Sequence, residues 1–168
     1  MAPRDTGPTG DTRPTAGRTE VSFGPLAGII GLHVSLANAA ILHNFKKRFD
    51  RLQLTPKQTS LLWLVSDNPG VSQVDFARLF RIDRATMLGI TNTLARRGLI
   101  ERRPMPNHGR RIGLHLTGPG QAILEEAKKE VAIHETWVKQ HFSAEELDLM
   151  VRLMARLYEQ PLSDEDIP

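Results

Sequence analysis

Apolar residues along this chain recur at the three- and four-residue spacing of helices, and switch to strand-like alternation at one place only. From Pro25 to about Arg51, Leu26, Ile29, Ile30, Ala37, Ala40, Ile41, Phe45 and Phe49 form a wide apolar stripe interrupted by His33 and Asn44. Such a stripe predicts one long helix packed against more than one partner. Thr55-Pro56-Lys57-Gln58 is a capping box with proline at the first helical position. It opens a helix carrying Leu61, Leu62, Trp63, Leu64 and Val65, which Asn68-Pro69-Gly70 ends. Ser72 then caps a short helix whose Val74, Phe76, Ala77 and Phe80 gather on one face. Arg81-Ile82-Asp83 leaves room only for a sharp turn, after which Asp83 caps a second helix with Met87, Ile90 and Leu94 facing inward. Gly98 suits the left-handed position that ends a helix.

After Gly98 the period changes. Leu99 to Arg103 and Ile112 to Leu116 read as two strands around a loop containing Pro104, Pro106 and Gly109. A short helix, a turn, a second helix and a hairpin make a winged helix-turn-helix. Thr117 caps a further long helix bearing Ile123, Leu124, Ala127, Val131, His134, Val138 and His141. Ser143-Ala144-Glu145-Glu146 is another capping box, opening a last helix that runs through Leu147 and Leu157 to Tyr158, before Pro161. The fold class is therefore mainly α: a single domain over 21–160, with the winged helix-turn-helix at about 55–117 and long helices at about 25–51 and 117–160. Residues 1–20, rich in Thr, Pro and Gly, read as a disordered tail, and 161–168 as an acidic one. The apolar faces of the terminal helices are broader than one small winged helix can cover, which predicts a symmetric homodimer.

The outward face of the second helix of the pair carries the chemistry. Arg84, Ala85, Leu88, Gly89, Asn92 and Arg96 occupy it, with Thr86 beside them, and no carboxylate is among them. Between Arg81 and Arg111 eight residues are Arg and none is Lys, against only Asp83 and Glu101. Planar forked donors suit phosphates and guanine edges, so the stretch reads as a double-stranded DNA footprint. Arg84 is expected to read guanine and Asn92 adenine. His108, Arg110 and Arg111, on the wing, are expected to reach the backbone or minor groove. A dimer would place two such helices about 34 Å apart over a pseudo-palindromic operator.

Thr55-Pro56-Lys57-Gln58, Ser72-Gln73 with Phe76-Ala77, Leu94-Ala95-Arg96-Arg97-Gly98-Leu99-Ile100-Glu101-Arg102, Gly109-Arg110-Arg111 and Leu116-Thr117-Gly118-Pro119-Gly120 together resemble the MarR family of bacterial transcriptional regulators. The resemblance spans about Thr55 to Gly120 and is most specific from Gly98 to Thr117. It implies a repressor controlled by a small effector, in some family members a phenolic carboxylate or its coenzyme A thioester. One position departs: the family often has Asp before the paired wing arginines, and here Gly109 stands there, so the wing is expected to be mobile without DNA.

Composition narrows the alternatives. The formal charge over 168 residues is only +3, so the basic stretch is a matter of distribution. Absence of Cys excludes disulfides and thiolate catalysis. No nucleophile elbow or glycine-rich phosphate loop supports an enzyme, and no cofactor is implied. No run approaches 18 apolar residues and no signal-peptide pattern opens the chain, so the expected place is the cytoplasm, at the nucleoid, with no membrane partner. His33 and Asn44 have two readings: core groups needing a hydrogen-bond partner, or, with Trp63 and Arg48, the lining of an effector pocket. Arg48 would then meet a carboxylate or phosphates. His134 and His141 lie two turns apart, too far to share a metal ion unaided. A metal-responsive regulator of the same fold and a winged-helix protein-interaction module are the alternatives.

Overall fold

The computed structural model describes residues 21–105 and 112–159. The chain divides into two compact units, with the boundary at Leu36 inside the first long helix. In the first unit Pro25 opens a separate 3-10 turn, Gly24–Gly28, rather than the long helix itself. Ile29 is extended (φ −89°, ψ 109°), so helix α1 spans Ile30–Phe49. Glycines at 24 and 28 flank the turn and favour this break over continuous helix. His33 is exposed, and its Nε2 donates to Ala27 O across 2.7 Å.

In the second unit, α1 gives way to a 3-10 turn, Asp50–Leu52, closed by Gln53 in the left-handed region (φ 51°). Helix α2 (Pro56–Asp67) starts on the expected capping box: Thr55 Oγ1 accepts from Gln58 N, and Gln58 Oε1 accepts from Thr55 N. Ser72 caps α3 (Gln73–Phe80), Arg81 makes the left-handed turn, and Asp83 caps α4 (Arg84–Arg96). Gly98, at φ 67°, ends that stretch as its position suggests. Strands β1 (Ile100–Pro104) and β2 (Ile112–Leu116) pair antiparallel, from Ile100 opposite Leu116 to Pro104 opposite Ile112. Pro104 thus extends β1 beyond the strand predicted from the pattern. A bridge from Ser72 to Gly113 adds a third short edge. Helix α5 (Gly118–Lys139) is capped by Thr117, and α6 (Ala144–Tyr158) by the box at Ser143 and Glu146.

Leu61, Leu62 and Val65 of α2, Phe76 and Ala77 of α3, Met87 and Leu94 of α4, Leu99 and Ile100 at the entry to β1, Leu114 of β2 and Leu124 of α5 form one buried cluster. Val74, expected inward, is 36% exposed, because Phe76, Ala77 and the half-buried Phe80 already fill that side of a helix only eight residues long. Helix α6 has no buried residue, and Leu149, Val151, Leu153, Met154, Leu157 and Tyr158 all stand exposed. Among the described residues no helix is long and apolar enough to cross a membrane.

Candidate nucleic-acid interface

Helix α4 is fixed on one side by its core face and at its start by its cap. Asp83 Oδ1 accepts from Thr86 N (2.8 Å) and Oδ2 from the Thr86 hydroxyl (2.5 Å). Those two bonds hold the Asp83 carboxyl below the usual carboxylate range. Thr86, expected on the DNA face, therefore has its hydroxyl committed to the cap. Met87, Thr91 and Leu94 are buried, whereas Arg84, Ala85, Leu88, Gly89, Asn92 and Arg96 are exposed. Gly89 sits in mid-helix with open space where a Cβ would be. The face is small, donor-rich and free of carboxylates, as the sequence indicates.

A groove of about 660 Å³ runs beside this face, lined by Gly89, Asn92, Thr93, Ala95, Arg96 and Arg102. Arg102 comes from β1, and its Nη2 donates to Asn92 Oδ1 (2.7 Å) and Thr91 Oγ1 (3.1 Å). Sequence reasoning left Arg102 out of the site. Its signal was strand alternation, since Arg102 follows Ile100 by two and shares that residue's helix-facing side. Arg97 is a different matter. Counted with the basic stretch, it instead donates to Leu52 O (2.9 Å) and Gln53 O (2.5 Å), tying the end of α4 to the turn after α1. Arg103 pairs with Glu101. His108, Arg110, Arg111 and the expected wing mobility lie outside the described residues.

A family profile described as MarR family matches residues 52–111. A putative transcriptional regulatory protein for the hcr operon of Thauera aromatica is 30% identical over 142 residues, covering 84% of this chain and 86% of that protein. The chain belongs to the MarR family. As a MarR-family protein it is a DNA-binding transcriptional regulator with a winged-helix fold, and not an enzyme. Among solved structures, the transcriptional repressor CouR bound to a 23-mer DNA duplex is 31% identical, with a TM-score of 0.77 over 83% of this chain and 99% of that one. CouR bound to p-coumaroyl-CoA is 29% identical, with a TM-score of 0.76 over 84% of this chain and 100% of the other.

The residues read as an effector pocket are distributed as follows in this MarR-family chain. Asn44 and Arg48 come together: Asn44 Oδ1 accepts from Arg48 Nε (3.3 Å) and from His134 Nδ1 (2.8 Å), ninety residues away on α5. The His134 ring is only 5% exposed, edge-on to Phe45 and stacked near Trp137. Trp63 of α2 is half-buried, with Lys128 Nζ 5.3 Å from its ring centre. His33 belongs to the first unit and has its partner there. A separate cavity of about 460 Å³ lies between the end of α1 and the start of α2, lined by Leu42, Phe45, Lys46, Phe49, Gln53 and Leu54 among others. Among the described residues no group of three His, Asp or Glu side chains could hold a metal ion.

Burial lowers the His134 pKa, Arg48 adds to that, and Glu135 opposes it. A histidine held neutral in the fold contributes stability that is full above the unfolded value of about 6.5 and is lost as pH falls below it. Thermal melts of wild type should therefore weaken from pH 7 to pH 5 more than those of His134→Gln. Parallel pH profiles for the two proteins would show that His134 plays no such part.

Proposed function

We propose that this MarR-family protein is a homodimeric repressor that occupies a pseudo-palindromic operator and leaves it on binding an aromatic acid or its coenzyme A thioester. The carboxylate-free face of α4, with Arg84, Gly89, Asn92 and Arg96 exposed and Arg102 alongside, carries this reading. Ala85, Leu88 and the Thr86 methyl would add apolar contacts there. From the sequence, Arg110, Arg111 and His108 would add wing contacts that weaken with salt. The exposed apolar side chains of α6 support a dimer, since so many on one helix call for a partner surface. CouR, so similar in fold, is solved with both a DNA duplex and p-coumaroyl-CoA. The cavity at the end of α1, whose charged lining residues are Lys46 and Asp50, suits a ring, and Arg48, bonded to Asn44 on the same helix, is the cation read from the sequence as the partner of an anionic group. Such a regulator would work in the cytoplasm, at the nucleoid.

The test begins with selection of operators from random duplex DNA. Titration of p-coumaroyl-CoA, p-coumarate and coenzyme A into the complex should then release the wild-type protein with the thioester or the acid, because only a ligand that favours the DNA-free form can do so. Arg48→Ala should need several-fold more. If none of the three releases wild type, the effector class is wrong; equal release of both proteins would remove Arg48 from the site.

A further inference from the structure

The contact between Arg102 and Asn92 bears on which base Asn92 can read. An amide side chain has one accepting and one donating end, and a guanidinium can only donate. The end lying 2.7 Å from Arg102 Nη2 is therefore the oxygen, Oδ1. Arg102 is itself held in place. The same nitrogen donates to Thr91 Oγ1, and the fully buried Thr91 hydroxyl reaches Gln73 Oε1 on α3 at 2.9 Å. Three elements, β1, α4 and α3, thus share one chain of hydrogen bonds that ends on Asn92.

Reading adenine would require Asn92 to accept from the adenine N6 amino group and donate to N7 at once. Here one lone pair of the accepting oxygen already serves a cation, which draws electron density from that oxygen, weakens its second lone pair as an acceptor and makes the amide nitrogen the stronger donor. The groove beside Asn92 is walled by Arg96 and Arg102, two further donors, with small residues at Gly89 and Ala95 and no carboxylate. The charged groups that line it all donate.

We propose that Arg102 biases Asn92 toward donating, so that in the operator Asn92 prefers the paired acceptors of guanine, N7 and O6, over adenine. Arg102 is then a specificity-determining positioning residue of the regulator. This proposal rests on the reading of α4 as the operator-reading helix and revises the expectation that Asn92 pairs with adenine.

Operators selected from random duplex DNA, with every position then varied singly, provide the test. The position read by Asn92 is the one whose preference disappears in Asn92→Ala. Wild type should favour guanine there over adenine by about fivefold or more. Arg102→Met, which frees Oδ1, should shift that ratio toward adenine by a similar factor, and Arg102→Lys, which keeps one donor, should retain guanine. Circular dichroism melts keep loss of fold distinct from change of preference. Preference for any base other than guanine in wild type overturns the proposal. So does an Arg102→Met variant that weakens all operators equally, or an Asn92→Ala variant that flattens no position. If no DNA is enriched at all, the regulator reading itself falls first.

Discussion

Gly120→Ala is expected to cost about 3 kcal/mol or more of folding stability, a drop of roughly 10 °C in melting temperature for a chain of this size. A Cβ at that position would lie 1.9 Å from Leu99 O and 2.8 Å from Leu99 C. The obstacle is backbone, so no side chain can turn away. Nor can the backbone withdraw freely, because Thr117 N donates to Leu99 O and the Thr117 hydroxyl to Gly98 O (2.6 Å). The first turn of α5 is laced directly onto the entry to β1. Gly89→Ala is the matching control, since nothing lies within 4 Å of its Cβ position. Alanine inside a helix gains about 0.5–1 kcal/mol over glycine. The free protein should melt a few degrees higher, yet bind operator less tightly, because the proposed operator-reading role of α4 puts DNA in that space. Melting curves and operator titrations decide both. A Gly120→Ala protein as stable as wild type would contradict the packing, and a Gly89→Ala protein binding as tightly would place DNA elsewhere.

Met87→Ala should cost about 2–5 kcal/mol, through lost burial and the cavity left behind. Met87 is completely buried among the core residues, on the inner face of the same α4 whose outer face carries Arg84 and Asn92. Its loss should therefore also weaken operator binding, through looser seating of the helix. Met87→Leu conserves volume and should lose less than about 1.5 kcal/mol. Urea denaturation with unchanged slope provides the measurement; a Met87→Ala midpoint matching wild type would mean that α4 is not anchored there.

What the sequence made legible was local. Thr55, Ser72, Asp83, Thr117 and Ser143 all cap the helices expected of them, because a cap is a bond between residues three apart. The inward residues Met87 and Leu94 follow from period alone. Partners distant in sequence were not legible. Asn44 calls for a hydrogen-bond partner by its type, but nothing in the chain marks His134 as that partner. Period also overran the start of α1, where the apolar stripe continues through Pro25 while the backbone breaks at Ile29. The Arg count across the wing region treated Arg97 and Arg102 as equivalent charges. One holds two carbonyls and the other aims an amide, a difference set by tertiary position rather than composition.

The Arg97 tie has a consequence for how such a chain can diversify. Both of its bonds go to main-chain carbonyls, at Leu52 and Gln53, and not to side chains. Gln53 and the neighbouring Leu54 line the cavity at the end of α1. The anchor is thus blind to the identity of the Gln53 side chain, and substitutions that reshape the cavity there leave the grip on α4 in place. With the cavity as the effector site of the proposed function, ligand preference and operator grip would be separately editable traits, so that one could drift, or be engineered, while the other is kept.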